Sequence, residues 1–339
     1  MDGMNGYNVM TGNEDGMAGM PERNGDGEMK AARKHFSRLG GMYILGTIVI
    51  FAAQLIPMTL LRLVKPEWLE NGNIYLMVSV LPMYLIGMPA LILLVRTIPK
   101  EVVERHSIRA GSFVTAAIMC FSIVYITNIA GNLITMLIGI LKGGMVQNQV
   151  LNVTQSVSMW MIVLYMVICA PVMEEFVFRK LIVDRTVRYG QGVSVVMSGL
   201  MFGLFHGNLN QFVYAFALGM FLAFLYVKTG NIKITIALHM LINFMGGVVS
   251  SGLMRMLDLD AYMQAVTGGV TSMMNYVQAN LAGIMAYAAF VVFVLGMMIA
   301  GGVLLIVNLV KRRFVLEGGS VVIPKGKRFS TMIGNVGMG

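Results

Sequence analysis

An all-α, polytopic membrane protein of about eight transmembrane helices, with both termini in the cytoplasm, is the fold class this sequence predicts. Three observations point to it. Of 339 residues, 57% are hydrophobic and 12% charged, with a mean hydropathy of +0.75, whereas a soluble domain is about a quarter charged. The apolar residues fall in runs of roughly 18 or more, which suits membrane helices and not the alternating strands of a barrel. The cationic residues gather in every second loop, as the positive-inside rule requires.

Taken in order, residues 1–35 are rich in Gly, Asn, Met and acids and lack an apolar period. They are expected to form a disordered cytoplasmic tail, too long and too acidic for a signal-peptide n-region and with no small-residue cleavage site after the first apolar run. Residues 36–150 hold three membrane helices, over about 39–61, 75–95 and 113–141. Residues 151–250 hold four more, the catalytic core: about 157–183, with Pro171 as a kink, then 192–206, 211–227 and 232–249. Residues 251–280, with Asp258 and Asp260, form an external loop containing a short interfacial helix. The eighth helix lies within 281–313, and 314–339 form a basic cytoplasmic tail.

This topology leaves Arg62, Lys65, Lys142 and Arg255 on the outer face and the other 21 of 25 Lys and Arg on the inner one. One miscounted helix would flip the parity of every later loop and destroy the asymmetry. The net charge of +9 is therefore a topology signal and calls for no nucleic-acid partner. Cys120 and Cys169 lie inside apolar runs, with neither a disulfide framework nor a metal spacing. The 33 methionines serve as flexible apolar packing, since none alternates with His or Cys to suggest copper.

The polar residues inside the apolar runs carry the functional signal. Glu174 and Glu175 are adjacent carboxylates, and Arg179 is i+4 to Glu175, the better orientation for a helical ion pair. Glu174 lies about 100° round the helix and can face elsewhere. Phe202 and His206 share one helix face, and so do His239 and Asn243. His35 and His106, in basic cytoplasmic segments, are expected to be ordinary solvated residues. Glu174 precedes Gly190 by 16 residues and His206 follows it by 16. A hairpin turning at Gly190 therefore sets both at one height, and Lys233 as a surface marker brings His239 and Asn243 into the same cytoplasmic half. Taken singly, a membrane His or Asn is interhelical glue and a Glu–Arg pair an anchor. Two Glu, two His and an Asn in one layer point to a site, because intramembrane ionisable groups default to function.

Two chemistries fit the set. Glu174 with His206 could hold and deprotonate a water, while His239 and Asn243 donate to the oxyanion of an attacked peptide carbonyl. Alternatively, Glu174, His206 and His239 could ligate a zinc ion whose bound water is the nucleophile. Both give peptide hydrolysis, and the sequence does not choose between them.

The motifs Glu-Glu-x-x-x-Arg (Glu174, Glu175, Arg179), Phe-x-x-x-His (Phe202, His206) and His-x-x-x-Asn (His239, Asn243) occur in this order on successive membrane helices. In this the chain resembles the CAAX protease and bacteriocin-processing (CPBP, or Abi) family of intramembrane endopeptidases, over about residues 160–247. The resemblance implies that Glu174 is the base acting on water, that Glu175 and Arg179 support it, and that His206, His239 and Asn243 complete the site. A metal role is debated in that family. It does not imply a prenylated substrate, since some members are linked to bacteriocin processing or self-immunity.

Other membrane-protease chemistries lack their residues: there is no His-Glu-x-x-His, no Gly-x-Ser-x-Gly with a downstream His and no pair of intramembrane Asp. The expectation is an integral-membrane endopeptidase, in the plasma membrane if the source is bacterial, acting from the cytoplasmic side on a membrane-associated peptide or protein. The contrasting readings are a non-proteolytic polytopic protein for bacteriocin or peptide immunity or binding, and a proton-coupled transporter. The latter is weakened by the lack of paired broken helices in two halves.

Overall fold

The computed structural model describes residues 23–144 and 149–335, and the described residues contain helices and no strand. Seven helices are long and apolar enough to cross a membrane. They are α1 (Arg23–Val64), α2 (Gly72–Arg96), α3 (Ala110–Leu141), α5 (Met159–Tyr189), α7 (Leu209–Thr229), α8 (Ile232–Arg255) and α11 (Leu281–Val310). Between them lie α4 (Gln149–Ser156), α6 (Gln191–Phe205), α9 (Leu259–Thr267) and α10 (Gly269–Ala279), with α12 (Arg328–Met332) after α11.

The eighth expected span is α6, and it is short. Its 15 residues reach about 22 Å at 1.5 Å per residue, less than the roughly 30 Å of hydrocarbon. The run ends because Gly207 takes a left-handed φ of 65° and Asn208 caps α7, its side chain accepting from the Gln211 amide at 2.9 Å. Neighbours enclose the short helix, and Met197, Ser198 and Phe202 are buried. Gly190 (φ 111°) makes the turn from α5 into α6.

Small residues let α6 and α7 approach closely, as membrane interfaces favour. A Cβ built on Gly199 would lie 2.9 Å from the Met220 nitrogen and 3.0 Å from the Phe216 carbonyl oxygen. On the other side, Ser198 donates to the Phe178 carbonyl at 2.9 Å, and Tyr43 of α1 donates to the Met201 carbonyl at 3.0 Å.

The segments expected in the cytoplasm share one end of the bundle. The Glu101 amide donates to Asp184, that of His106 to Thr229 and that of Val321 to Arg188, and Lys228 pairs with Glu317 at 2.6 Å.

Several boundaries differ from expectation. Helix α1 begins at Arg23, so residues 23–35 are helical and not tail; Ala32, Phe36, Leu39 and Tyr43 form a buried stripe that holds them. The rest of the expected N-terminal tail, residues 1–22, lies outside the described residues, as do 145–148 and 336–339. The segment expected as an external loop contains two helices, α9 and α10, packed on each other. Residues 314–335 are more than a tail: Ile323, Thr331 and Met332 are buried and α12 packs on α1. Helix α5 runs on to Tyr189, so Arg185, expected in a loop, is buried and donates to the carbonyls of Val95 (2.7 Å) and Leu181 (3.0 Å). His35 is half-buried and not simply solvated: its Nε2 donates to the Arg185 carbonyl at 2.7 Å, and its ring lies 5.1 Å from that of Tyr189.

Gly199→Val should destabilise the protein by about 1–3 kcal/mol through overpacking. Gly296→Ala, where an added Cβ meets nothing within 4 Å, should be neutral or stabilising by up to about 1 kcal/mol. Thermal unfolding of both variants in detergent checks the contrast.

Candidate active site

The site is built on an irregular stretch of α5. Residues Ala170–Glu175 are α-helical between π-helical turns at Ile162–Cys169 and Phe176–Val183. Pro171 has no N–H to donate back into the preceding turn, and the Ala170 amide reaches the Tyr165 carbonyl, the i−5 partner. Such π-bulges are frequent at functional sites. Here they bracket the two carboxylates, which the 100° step per residue sends to different surroundings.

Glu175 points into the protein and is fully buried. Its Oε2 lies 2.9 Å from Arg179 Nε, and its Oε1 lies 2.9 Å from His239 Nδ1. Arg179 is equally buried, its guanidinium 4.8 Å from the centroid of the Phe202 ring, within cation–π range. Its Nη1 and Nη2 have no protein acceptor among the described residues. One carboxylate thus binds α5 to α8 through His239, and its cation rests on α6.

Glu174 turns instead to a cavity of about 370 Å³, whose lining also includes His206, His239 and Asn243. The side chain of Glu174 is 12% exposed, and its Oε2 lies 3.8 Å from His239 Nε2. Glu175 and Arg179 stand behind this wall and do not line the cavity. Glu174 and His206, placed at one height by their equal distances from Gly190, both line this cavity.

Neighbouring acceptors set the ring nitrogens. A carbonyl only accepts, so His206 Nδ1, 2.9 Å from the Phe202 carbonyl oxygen, carries a proton and leaves Nε2 an acceptor in the neutral ring. His239 Nδ1 donates to Glu175, so Nε2 is the nitrogen nearest Glu174. Asn243 donates one amide N–H to the Met166 carbonyl at 2.8 Å, which fixes the side chain and leaves its second N–H uncommitted. Glu174, His206 and His239 do not gather as a metal site: among the described residues no three His, Cys, Asp or Glu side chains come close enough to hold an ion.

Four polar lining residues were missed from sequence: Tyr125 and Asn128 on α3, Gln211 and Tyr214 on α7. Phe121, Val124, Tyr125 and Asn128 recur at i, i+3, i+4 and i+7, one helix face. That spacing was a usable signal, although α3 lies outside the motif-bearing segments. Gln211 Nε2 donates to the Tyr214 hydroxyl at 2.8 Å, so the phenol proton is available to a further acceptor.

Residues 155–245 match the family model described as type II CAAX prenyl endopeptidase, Rce1-like. The chain is also similar to a protein of Bacillus subtilis (strain 168) named "Putative membrane peptidase YdiL", with 31% identity over 160 residues, or 45% of this chain and 63% of that protein. The chain therefore spans less than two thirds of that relative's length. No solved structure matches the chain significantly.

Arg179→Ala should destabilise the fold by about 3–5 kcal/mol, because it strands a buried carboxylate. The double change Glu175→Gln with Arg179→Met should recover most of that loss. Unfolding curves of the parent and the two variants in one detergent provide the comparison.

Proposed function

We propose that the chain is a member of the CAAX protease and bacteriocin-processing family, an intramembrane endopeptidase that cleaves a membrane-associated peptide or protein with water activated by Glu174; the Rce1-like match over residues 155–245 and the similarity to a putative membrane peptidase support this reading. The supporting observation is the unequal treatment of two adjacent carboxylates. Glu175 is consumed by Arg179 and His239, while Glu174 faces the cavity opposite an imidazole nitrogen. Carboxylates in different environments take different roles.

The roles follow from the donors and acceptors. Glu174 takes a proton from water, and the water oxygen attacks the peptide carbonyl carbon. His206 Nε2 accepts the second water hydrogen and orients the nucleophile. The oxyanion receives the second N–H of Asn243 and, from the protonated imidazole of His239, the Nε2–H. Glu175 holds that ring in place through Nδ1. Protonated Glu174 returns its proton to the leaving amine, and the C–N bond breaks. Arg179 and Glu175 position these groups and do not touch the substrate. The basic segments sharing one end of the bundle support entry of the substrate from the cytoplasmic side.

Glu174→Gln keeps the size and part of the hydrogen bonding, and should lower kcat by about 10²–10⁴-fold, the usual share of a general base, with the thermal midpoint unchanged. Cleavage of a membrane-peptide library by purified protein is the assay. Undiminished cutting by the variant removes Glu174 from the role of base. A parent that cuts nothing, with or without added zinc, returns the chain to a binding or immunity role. Elemental analysis should find no stoichiometric zinc; stoichiometric zinc that is lost in His206→Ala would give that histidine a ligand role.

A further inference from the structure

Outside the cavity lined by Glu174, helix α1 carries a surface that the peptidase chemistry does not use. At 100° per residue, Arg33, Ser37, Ile44, Ile48 and Phe51 fall within an arc of roughly 60°, and Lys34 flanks it. The same face therefore changes along the helix from basic to apolar. Ile44, Ile48 and Phe51 are 46%, 57% and 50% exposed, the character of a surface against acyl chains. Arg33 and Lys34 precede the apolar run by about a turn and are exposed, at the depth of headgroups. The opposite face, with Ala32, Phe36, Leu39 and Tyr43, is buried in the bundle.

The basic end opens onto a shallow surface cleft. Arg33, Lys34 and Ser37 form one side of a space of about 380 Å³, and Ser330, Gly334 and Asn335 form the other. Buried Thr331 and Met332 anchor the C-terminal segment against the bundle. No Asp or Glu lines this space, and neither Arg33 nor Lys34 has an ion-pair partner among the described residues. Two cations and the Ser37 hydroxyl suit a phosphate ester, and the apolar stripe in register above them suits the chains attached to it.

We propose that this cleft is a binding site for one anionic phospholipid, its phosphate held between Arg33, Lys34 and the C-terminal segment and its acyl chain lying along Ile44, Ile48 and Phe51. Charge complementarity selects an anionic headgroup over a zwitterionic one, and each cation near the membrane surface contributes separately.

Native mass spectrometry of the full chain in detergent, titrated with phosphatidylglycerol or phosphatidylcholine, tests this. The parent should prefer phosphatidylglycerol. Arg33→Ala with Lys34→Ala should weaken that lipid by roughly 30-fold and leave phosphatidylcholine unaffected. The charge-preserving exchange Arg33→Lys with Lys34→Arg should bind as the parent does, which separates loss of charge from damage to the fold. Equal binding of phosphatidylglycerol by the parent and the alanine variant would overturn the site, as would equal binding of the two lipids by the parent. Displacement of phosphatidylglycerol by millimolar inorganic phosphate at constant ionic strength would make it a free-anion cleft and overturn the lipid assignment.

Discussion

The buried contact of Glu175 with Arg179 is the constraint on which the rest of the structure depends. A carboxylate at membrane depth is tolerated only when it is paired, and this one is paired twice, with the guanidinium on its own helix and with His239 on α8. The second bond orients the imidazole, so that Nδ1 is committed and Nε2 lies toward Glu174. The guanidinium lies over Phe202, whose backbone carbonyl in turn fixes His206. His239 is thus held directly by an ion pair that itself stays out of the cavity, and the guanidinium of that pair rests on the residue whose carbonyl holds His206.

Helix α6 supplies the second requirement, proximity. It is too short to cross the hydrocarbon and ends in the turn at Gly207, which brings His206 to the cavity instead of to the far surface. Small residues at the α6–α7 contact and the Ser198 bond to α5 hold that short helix without a membrane-length span of its own. The cavity is then closed by faces of α3 and α7 that bring Tyr125, Asn128, Gln211 and Tyr214. These add polar groups to a wall that already carries Glu174, His206, His239 and Asn243.

Much of this was legible in the residues. Hydropathy gave seven of the eight expected spans, and equal distances from Gly190 pointed to the pairing of Glu174 and His206 in one cavity lining. The i,i+4 spacing gave the Glu175–Arg179 pair. Direction was harder to read. Two π-helical turns in α5 change the angular phase on either side of Glu175, so no fixed step per residue could show that Glu175, and not Glu174, would hold His239 at 2.9 Å. The start of α1 was obscured because Ala32 and Phe36 stand among Arg33, Lys34 and Arg38, and composition outweighed the buried stripe. Arg185 and His35 looked like loop charges until the length of α5 brought Arg185 against Val95 of α2 and His35 of α1. The packing of residues 314–335 depends on contacts with Arg188 and Gln191 that no local pattern announces.

The central claim is that Glu174, freed by the pairing of its neighbour, turns a membrane-buried cavity into a peptide-cutting site. Comparing the termini of membrane peptides in cells carrying either the parent or Glu174→Gln tests it most directly. The account predicts a discrete set of new termini, in or beside membrane segments, that appear only with the parent. Identical sets of termini, with both proteins folded and equally abundant, would contradict it.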